Sequence, residues 1–264
     1  MIRMEPTLSP VQPLLRILHE DADLLVVNKP AGLVCHPTKG DGFSSLVARA
    51  RQYLGPDAPL HLVNRLDRET SGVTVLTKSA AVAGELGKIW ERRGVEKEYL
   101  AIVHGGVCSD AGVLEGPLGK DAASAVAIKD CVRPDGTPAL TRFAVERRFV
   151  REGRDFSLLK IVPRTGRKHQ IRIHLAHAGH PIVGDNIYGG NEQLYLRFVR
   201  GELTLGEWQE LLLPNHALHA VALRFAWRGR NWEFNAEPEP EFKEFCGACF
   251  PAMNSPGIEQ DRKG

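Results

Sequence analysis

Asn64-Arg65-Leu66-Asp67-Arg68-Glu69-Thr70-Ser71-Gly72 joins two short apolar segments, residues 60–64 and 73–77. The flanking runs have the length and composition of strands, and the connection closes on Ser-Gly, a turn pair. Arg65, Asp67, Arg68 and Glu69 crowd into this short connection, with one carboxylate set between two guanidinium groups. A neighbouring cation favours the ionised form of a carboxyl, so Asp67 is expected to be an anion. An ionised aspartate can serve as a nucleophile or a general base. By itself the segment also reads as an Asx-type turn laced with surface salt bridges.

Upstream of this loop, apolar runs at 15–19 and 24–28 flank Asp21-Ala22-Asp23, a turn composition, and Asn28-Lys29-Pro30-Ala31-Gly32 forms a second turn. A helix is predicted from Ser44, its cap, to Leu54, with Gly55-Pro56 as the stop. Ser79 opens a second helix over 79–92 that ends near Gly94. The chain then turns strand-rich, with strands predicted at 97–103, 124–130, 138–149 and 155–163. In 168–178, Ile171, Leu175 and Ala178 recur at helical spacing, and Gly179 is placed as a left-handed stop. Strands at 217–226 and 230–234 and a short helix near 240–246 complete the pattern. Helices and strands mix without strict βαβ alternation, so the fold class is α+β with a mixed, largely antiparallel sheet. Residues 1–13 read as a flexible lead-in, 14–250 as one domain and 251–264 as a flexible tail.

Of the 264 residues 43% are hydrophobic and 25% charged, which excludes disorder as a description of the whole chain. No apolar run approaches the ~18–20 residues that cross a bilayer. The N-terminus lacks the apolar stretch of a secretory signal, so the expected location is cytoplasmic, with no membrane partner. Cysteines number five, an odd count; only Cys246 and Cys249 are close, and no second pair stands at zinc spacing. No metal site is assigned, and reduced thiols are expected. Net charge is only +2, yet residues 147–172 carry nine basic side chains against Glu152 and Asp155. Such a stripe suits a polyanion such as RNA phosphate, or a solvated hairpin with long basic side chains.

Two further segments carry chemistry. In Pro163-Arg164-Thr165-Gly166-Arg167-Lys168-His169-Gln170-Ile171-Arg172-Ile173-His174 a strand ends and a Thr-Gly turn opens a helix crowded with cations. That charge runs against the helix macrodipole, which favours a functional reading. Ile171 and Leu175 flank Arg172 on the helix, so Arg172 is expected near the buried side. A partly buried arginine needs an anionic partner, and Asp67 is the candidate. In Glu96-Lys97-Glu98-Tyr99-Leu100-Ala101 the aromatic begins an alternating strand, and from pattern alone reads as core.

Asn64 to Gly72, Lys97-Glu98-Tyr99-Leu100-Ala101, Thr165 to His174, Gly179-His180-Pro181-Ile182-Val183-Gly184-Asp185 and Ala217-Leu218-His219-Ala220 together resemble the RluA-type pseudouridine synthases. All five blocks occur in that family's order, and the resemblance covers about residues 15–235. The resemblance implies a curved sheet with flanking helices and a central catalytic cleft. It implies isomerisation of uridine to pseudouridine in structured RNA, rRNA or tRNA, by base flipping and without a cofactor. Asp67 matches the catalytic aspartate, Arg172 the basic residue paired with it, and Tyr99 the tyrosine that stacks near the target base. Arg65 matches an arginine that fills the gap left by the extruded nucleotide, and Ile171 an apolar position in the pocket. Arg167, Lys168 and His169 join the substrate-binding set.

The chain lacks a GxGxxG after a strand, a P-loop and a metal cluster, in keeping with cofactor-free chemistry. Asn64 departs from the family, which usually has His there; the change is expected to touch loop packing or RNA contacts. Many relatives carry a small N-terminal RNA-binding module, whereas about 14 residues precede the first strand here, so recognition is expected to rest on the catalytic domain. A monomer is expected. Residues 190–214, with Trp208 and several leucines, suit either a helix packed on the core or part of an RNA track. A non-catalytic RNA-binding or ribosome-assembly factor is the competing reading, and Asp67 separates the two, since a carboxylate beside phosphate repels. A carboxylate-based hydrolase would need a second acid or a metal beside Asp67, and the sequence clusters neither there.

Overall fold

A computed structural model describes residues 15–36 and 45–247. The predicted lead-in 1–13 and tail 251–264, Ser44 and Cys249 lie outside the described residues. The elements run β1 (Arg16–Glu20), β2 (Leu24–Lys29), α1 (Leu46–Leu54), β3 (His61–Leu62), β4 (Ser71–Thr77), α2 (Ala80–Glu91) and β5 (Val95–His104). They continue with β6 (Ala111–Glu115), β7 (Leu118–Lys120), β8 (Asp130–Val132), β9 (Leu140–Arg151), β10 (Arg154–Pro163) and α3 (Gln170–His177). The last are α4 (Gln193–Arg200), α5 (Leu205–Leu211), β11 (Leu218–Trp227), β12 (Arg230–Asn235) and α6 (Pro240–Cys246). Among the described residues no helix is long and apolar enough to cross a membrane.

One large sheet runs β1-β2-β4-β11-β5-β10-β9-β6, with β12 added beside β11 and β3 beside β4. Its pairings are antiparallel except one: β4 meets β11 in parallel, at Ser71↔His219 and Gly72↔Ala220 alone. Beyond Ala220 the free edge of β11 pairs with β12 instead, from Ala222↔Asn235 to Trp227↔Arg230. The sheet therefore forks at this short seam. Gly72 makes the seam possible: its φ is +118°, and a Cβ there would lie 2.2 Å from the Ala220 carbonyl oxygen. No other residue fits a left-handed conformation at such close backbone approach without strain.

Each half of the sheet buries its own apolar cluster. Leu24, Val26, Val73 and Val75 pack with Leu223, Phe225 and Phe234 under α2. Ala101 to Val103, Phe156, Leu159 and Ile161 pack with Ile171, Leu175 and Ile182. The strands β2 and β4 are buried along their whole lengths, which is why they read as continuous apolar runs.

Several expectations are corrected. The cap of α1 is Ser45, whose Oγ accepts from Ala48 N at 3.2 Å. Residues 124–130 form a loop up to the first residue of β8. The short apolar run Ala125 to Ile128 suggested a strand, but only Val126 among 124–129 is buried, and the carbonyls of Val126, Ala127 and Lys129 accept from Lys120 Nζ. Glu192 takes Ser124 Oγ and Ala125 N, fastening the loop to the start of α4. Strands β6 and β7 lie in a stretch to which the pattern assigned no strand. Residues 190–214 contain α4 and α5.

The basic stripe also divides. Arg147 Nη1 donates to the carbonyls of Cys246 and Gly247, and Arg151 Nη1 to those of Glu244 and Phe245, closing the C-terminal end of α6. Arg148 donates to Val107 O and Asp110. These side chains brace the fold while staying exposed on its surface. The exposed Arg164 and Arg167 lie at the other end of the stripe, and Arg167 lines the cleft.

Candidate active site

The loop between β3 and β4 is fixed from three sides. Asn64 acts as an extra strand residue: its Nδ2 donates to Val73 O at 3.1 Å and its Oδ1 accepts from Val75 N at 2.8 Å. The departure at position 64 thus serves loop packing. From below, the fully buried Lys29 Nζ donates to the carbonyls of Pro30, Leu33 and Arg68. Burial pushes Lys29 down to about 8, against the pull of Cys35, Glu239, Asp67 and Glu69, so it is still charged at neutral pH. At the β4 end, Thr70 Oγ1 stands 2.7 Å from His216 Nε2, and Glu69 stands 3.3 Å from His216 Nδ1. Held this way, the loop presents Asp67 with its side chain 31% exposed.

Opposite stands the first turn of α3. Gln170 shapes it, accepting from Thr165 Oγ1 and Arg167 N while donating to Leu140 O and Thr141 Oγ1. His169, just before the helix, takes a left-handed conformation with φ 53°. Arg172 is 3% exposed and uses two edges of its guanidinium. Nε and Nη2 grip Asp185 at 2.7 and 2.9 Å, and Nη1 donates to Asp67 Oδ2 at 3.0 Å. Asp185 Oδ1 further accepts from Ile187 N and Tyr188 N, and the Tyr188 ring lies 5.0 Å from the guanidinium carbon. The result is a rigid Asp185–Arg172–Asp67 chain that ends in the cleft.

Electrostatics follow from this order. Burial raises the Asp67 carboxyl, but His169, Arg172 and His216 outweigh it and hold the group below its ordinary value of 3.8. Burial, with Arg172 adding to it, pushes His169 itself down to about 4, so at neutral pH its ring is uncharged and Arg172 is the cation acting on Asp67. Burial would lower Arg172, and Asp185, then Asp67 and Glu69, more than reverse that. Both Arg172 and the His169 ring, whose Nε2 is 3.8 Å away, address Oδ2. Among the described residues no protein donor reaches Oδ1, which leaves that oxygen available for chemistry.

The cleft holds about 150 Å³ and is lined by Asp67, Tyr99, Ile171, Arg172, Leu218 and, at its sides, Arg65, Lys97, Arg167 and His169. Tyr99 sits on β5, paired with Ile161 and Ala220, and is half-buried rather than core. Burial, with the Asp67 charge adding to it, pushes its hydroxyl above the ordinary range, so it stays protonated. A larger hollow of about 310 Å³, lined by Arg16, Asn28, His216 and Phe242 among others, shares only Leu218 with the cleft and does not include Asp67.

Seven of the eight expected site residues therefore meet in one cleft. The exception is Lys168, whose Nζ pairs with Asp130 at 2.7 Å and does not line it. Asp185 and Tyr188 escaped the reading of roles, although Asp185 stood in a quoted block. The missed signal was stoichiometric: a buried arginine has two edges to satisfy, and Asp67 covers only one. Acids thus do gather near Asp67, but the Asp185 side chain is 0% exposed and bound to Arg172, which removes it as a second hydrolytic acid. Of the CxxC pair, Cys246 is buried.

A family model described as RNA pseudouridylate synthase matches residues 23–177. The chain belongs to that family. It is 38% identical over 239 residues to ribosomal large subunit pseudouridine synthase C of Pasteurella multocida, covering 88% of this chain and 67% of the relative. The protein of the same name in Escherichia coli K12 is 38% identical over 214 residues, 81% of this chain and 62% of that one. The chain thus spans about two thirds of the length of these relatives. Among solved structures, human RNA pseudouridylate synthase domain containing 1 superposes with a TM-score of 0.69 at 26% identity, over 90% of this chain and 87% of that one. The RluA-type resemblance and the α+β fold with a mostly antiparallel sheet are borne out.

Proposed function

We propose that this pseudouridylate synthase isomerises uridine in folded ribosomal RNA, with Asp67, Arg172 and Tyr99 as its catalytic residues. The observation that carries the reading is the Asp185–Arg172–Asp67 chain, which fixes one carboxylate oxygen and leaves the other open to the cleft. In the reaction the bond from C1′ to ring N1 breaks, the uracil turns, and C1′ bonds to C5. The C5 proton is released and N1 gains one, so no electrons are exchanged and no redox partner is needed.

A stacked or paired uridine must leave its helix first, at a cost of a few kcal/mol. Arg65, exposed beside the cleft, fills the vacated space with a flat guanidinium that stacks on bases. The extruded uracil lies against Tyr99, where base–aromatic stacking contributes about 1–3 kcal/mol. Ile171 closes the apolar side, while Arg167 and the uncharged His169 bind the nucleotide. Asp67 then supplies the anion, as nucleophile or base, with its charge steadied by Arg172 rather than neutralised by a proton. The relatives' names specify the large ribosomal subunit, which supports ribosomal RNA over tRNA as the substrate. The enzyme acts as a monomer in the cytoplasm, the compartment of ribosomal RNA.

The test is to incubate the chain with large-subunit ribosomal RNA transcribed without modifications and to map new pseudouridines. Conversion at a defined uridine is expected with wild type and none with Asp67→Asn. RNA binding without conversion by the wild-type protein would establish the competing reading of a non-catalytic RNA-binding factor.

A further inference from the structure

Lys97 stands two residues before Tyr99 on β5, so the two side chains leave the same face of the strand. Both line the cleft. The acids that flank Lys97 in sequence lie on the opposite face and are engaged elsewhere: Glu96 with Arg224, and Glu98 with Lys160 and Arg224. Lys97 itself makes no hydrogen bond and no ion pair among the described residues, although it is only partly exposed. Its ammonium hangs over the Thr165–Gly166 turn, with Nζ 3.7 Å from where a Gly166 side chain would begin. Burial lowers Lys97, and no carboxylate offsets that, so the Asp67 charge is not its partner. Removing a cation from water without pairing it costs stability. The fold accepts that cost beside the reacting position, where a polyanion is the proposed ligand.

We propose that Lys97 binds a backbone phosphate of the nucleotide whose base enters the cleft. The inference rests on the reading that this cleft takes RNA. The ammonium then serves as a point charge that draws the phosphodiester over the Thr165–Gly166 turn while the base reaches Tyr99.

The experiment measures binding of a short oligouridylate across a range of salt concentrations, alongside turnover of large-subunit ribosomal RNA. Each phosphate contact on a single strand contributes about 0.7 to the slope of log affinity against log salt. Lys97→Gln keeps a donor and loses the charge; it is expected to lower the slope by that amount and to raise KM more than it lowers kcat. Lys97→Arg is expected to keep the wild-type slope. Lys97→Met is expected to melt at or above the wild-type temperature, because the unpaired cation is gone. An unchanged slope in Lys97→Gln overturns the inference, and so does a lower melting temperature in Lys97→Met, which would make Lys97 a structural group. Failure of the wild-type protein to bind or convert RNA would instead remove the reading of the cleft on which the inference stands.

Discussion

Asp67 and Arg172 carry opposite consequences when removed. Asp67→Asn keeps the shape and loses the anion, so conversion is expected to fall by at least about 10²–10⁴-fold while RNA affinity survives. Binding and turnover measured on the same RNA check this. Arg172→Ala strands Asp185, whose side chain is 0% exposed, without a counter-charge. Breaking a buried pair from one side costs about 3–5 kcal/mol, so this variant is expected to unfold at markedly lower urea as well as losing activity. Near-native stability would show that the pair does not hold the site. Tyr99→Phe is expected to lose less than Tyr99→Leu, since stacking needs the ring more than the hydroxyl. Equal losses in kcat/KM would assign the hydroxyl a role. At this scale the sequence was most legible where charge was crowded: Asp67 between two arginines, and an arginine on the apolar side of a helix. Tyr99 was less so, because alternation marks an inward face without showing whether that face ends in core or in cleft.

Gly72 governs the element scale. It is the second residue of β4, just past the loop bearing Asp67, at the one place where β4 and β11 run side by side. Gly72→Ala is expected to cost about 1–3 kcal/mol from backbone conformation alone, with more from the collision with Ala220. Loss of activity should accompany loss of stability, since the loop is anchored there. Thermal melting compared with Gly153→Ala, a glycine whose Cβ would meet nothing within 4 Å, separates the two contributions. Elements were legible where apolar periodicity was strong, as in β2, β4 and α2, whose Ser79 cap was found. They were not legible at 124–130, where a short apolar run is held by Lys120 and Glu192 instead of a strand partner. Nor was the fate of Arg147 and Arg151 visible, since their carbonyl partners lie about a hundred residues away in sequence.

Across the molecule, buried histidines set the response to acid. Burial pushes His169 and His219 each down to about 4 from 6.5, and it lowers His174 as well. Unfolded, these rings take up protons near pH 6.5; folded, His169 and His219 do so only near pH 4. Between those values the unfolded chain binds more protons, so stability is full above about pH 6.5 and falls as pH drops toward 4. A loss of a few kcal/mol across that window is expected, and urea midpoints at successive pH values measure it. His219 ties the two halves of the sheet together through Ser71 Oγ and Ala236 O, so the forked seam should be the part that loosens. The α+β class was legible from the irregular order of helices and strands. The fork was not, because nothing local in 218–227 shows that one edge of β11 changes partner after Ala220.

The proposed function rests on Asp67 acting as an anion on a uracil whose C5 hydrogen is lost. The most direct measurement is release of tritium from large-subunit ribosomal RNA made with 5-tritiated uridine, comparing wild type with Asp67→Asn at matched RNA occupancy. Release by the wild-type protein and none by the variant is the expected result. Comparable release by both proteins, or none by the wild type from RNA it demonstrably binds, would contradict it.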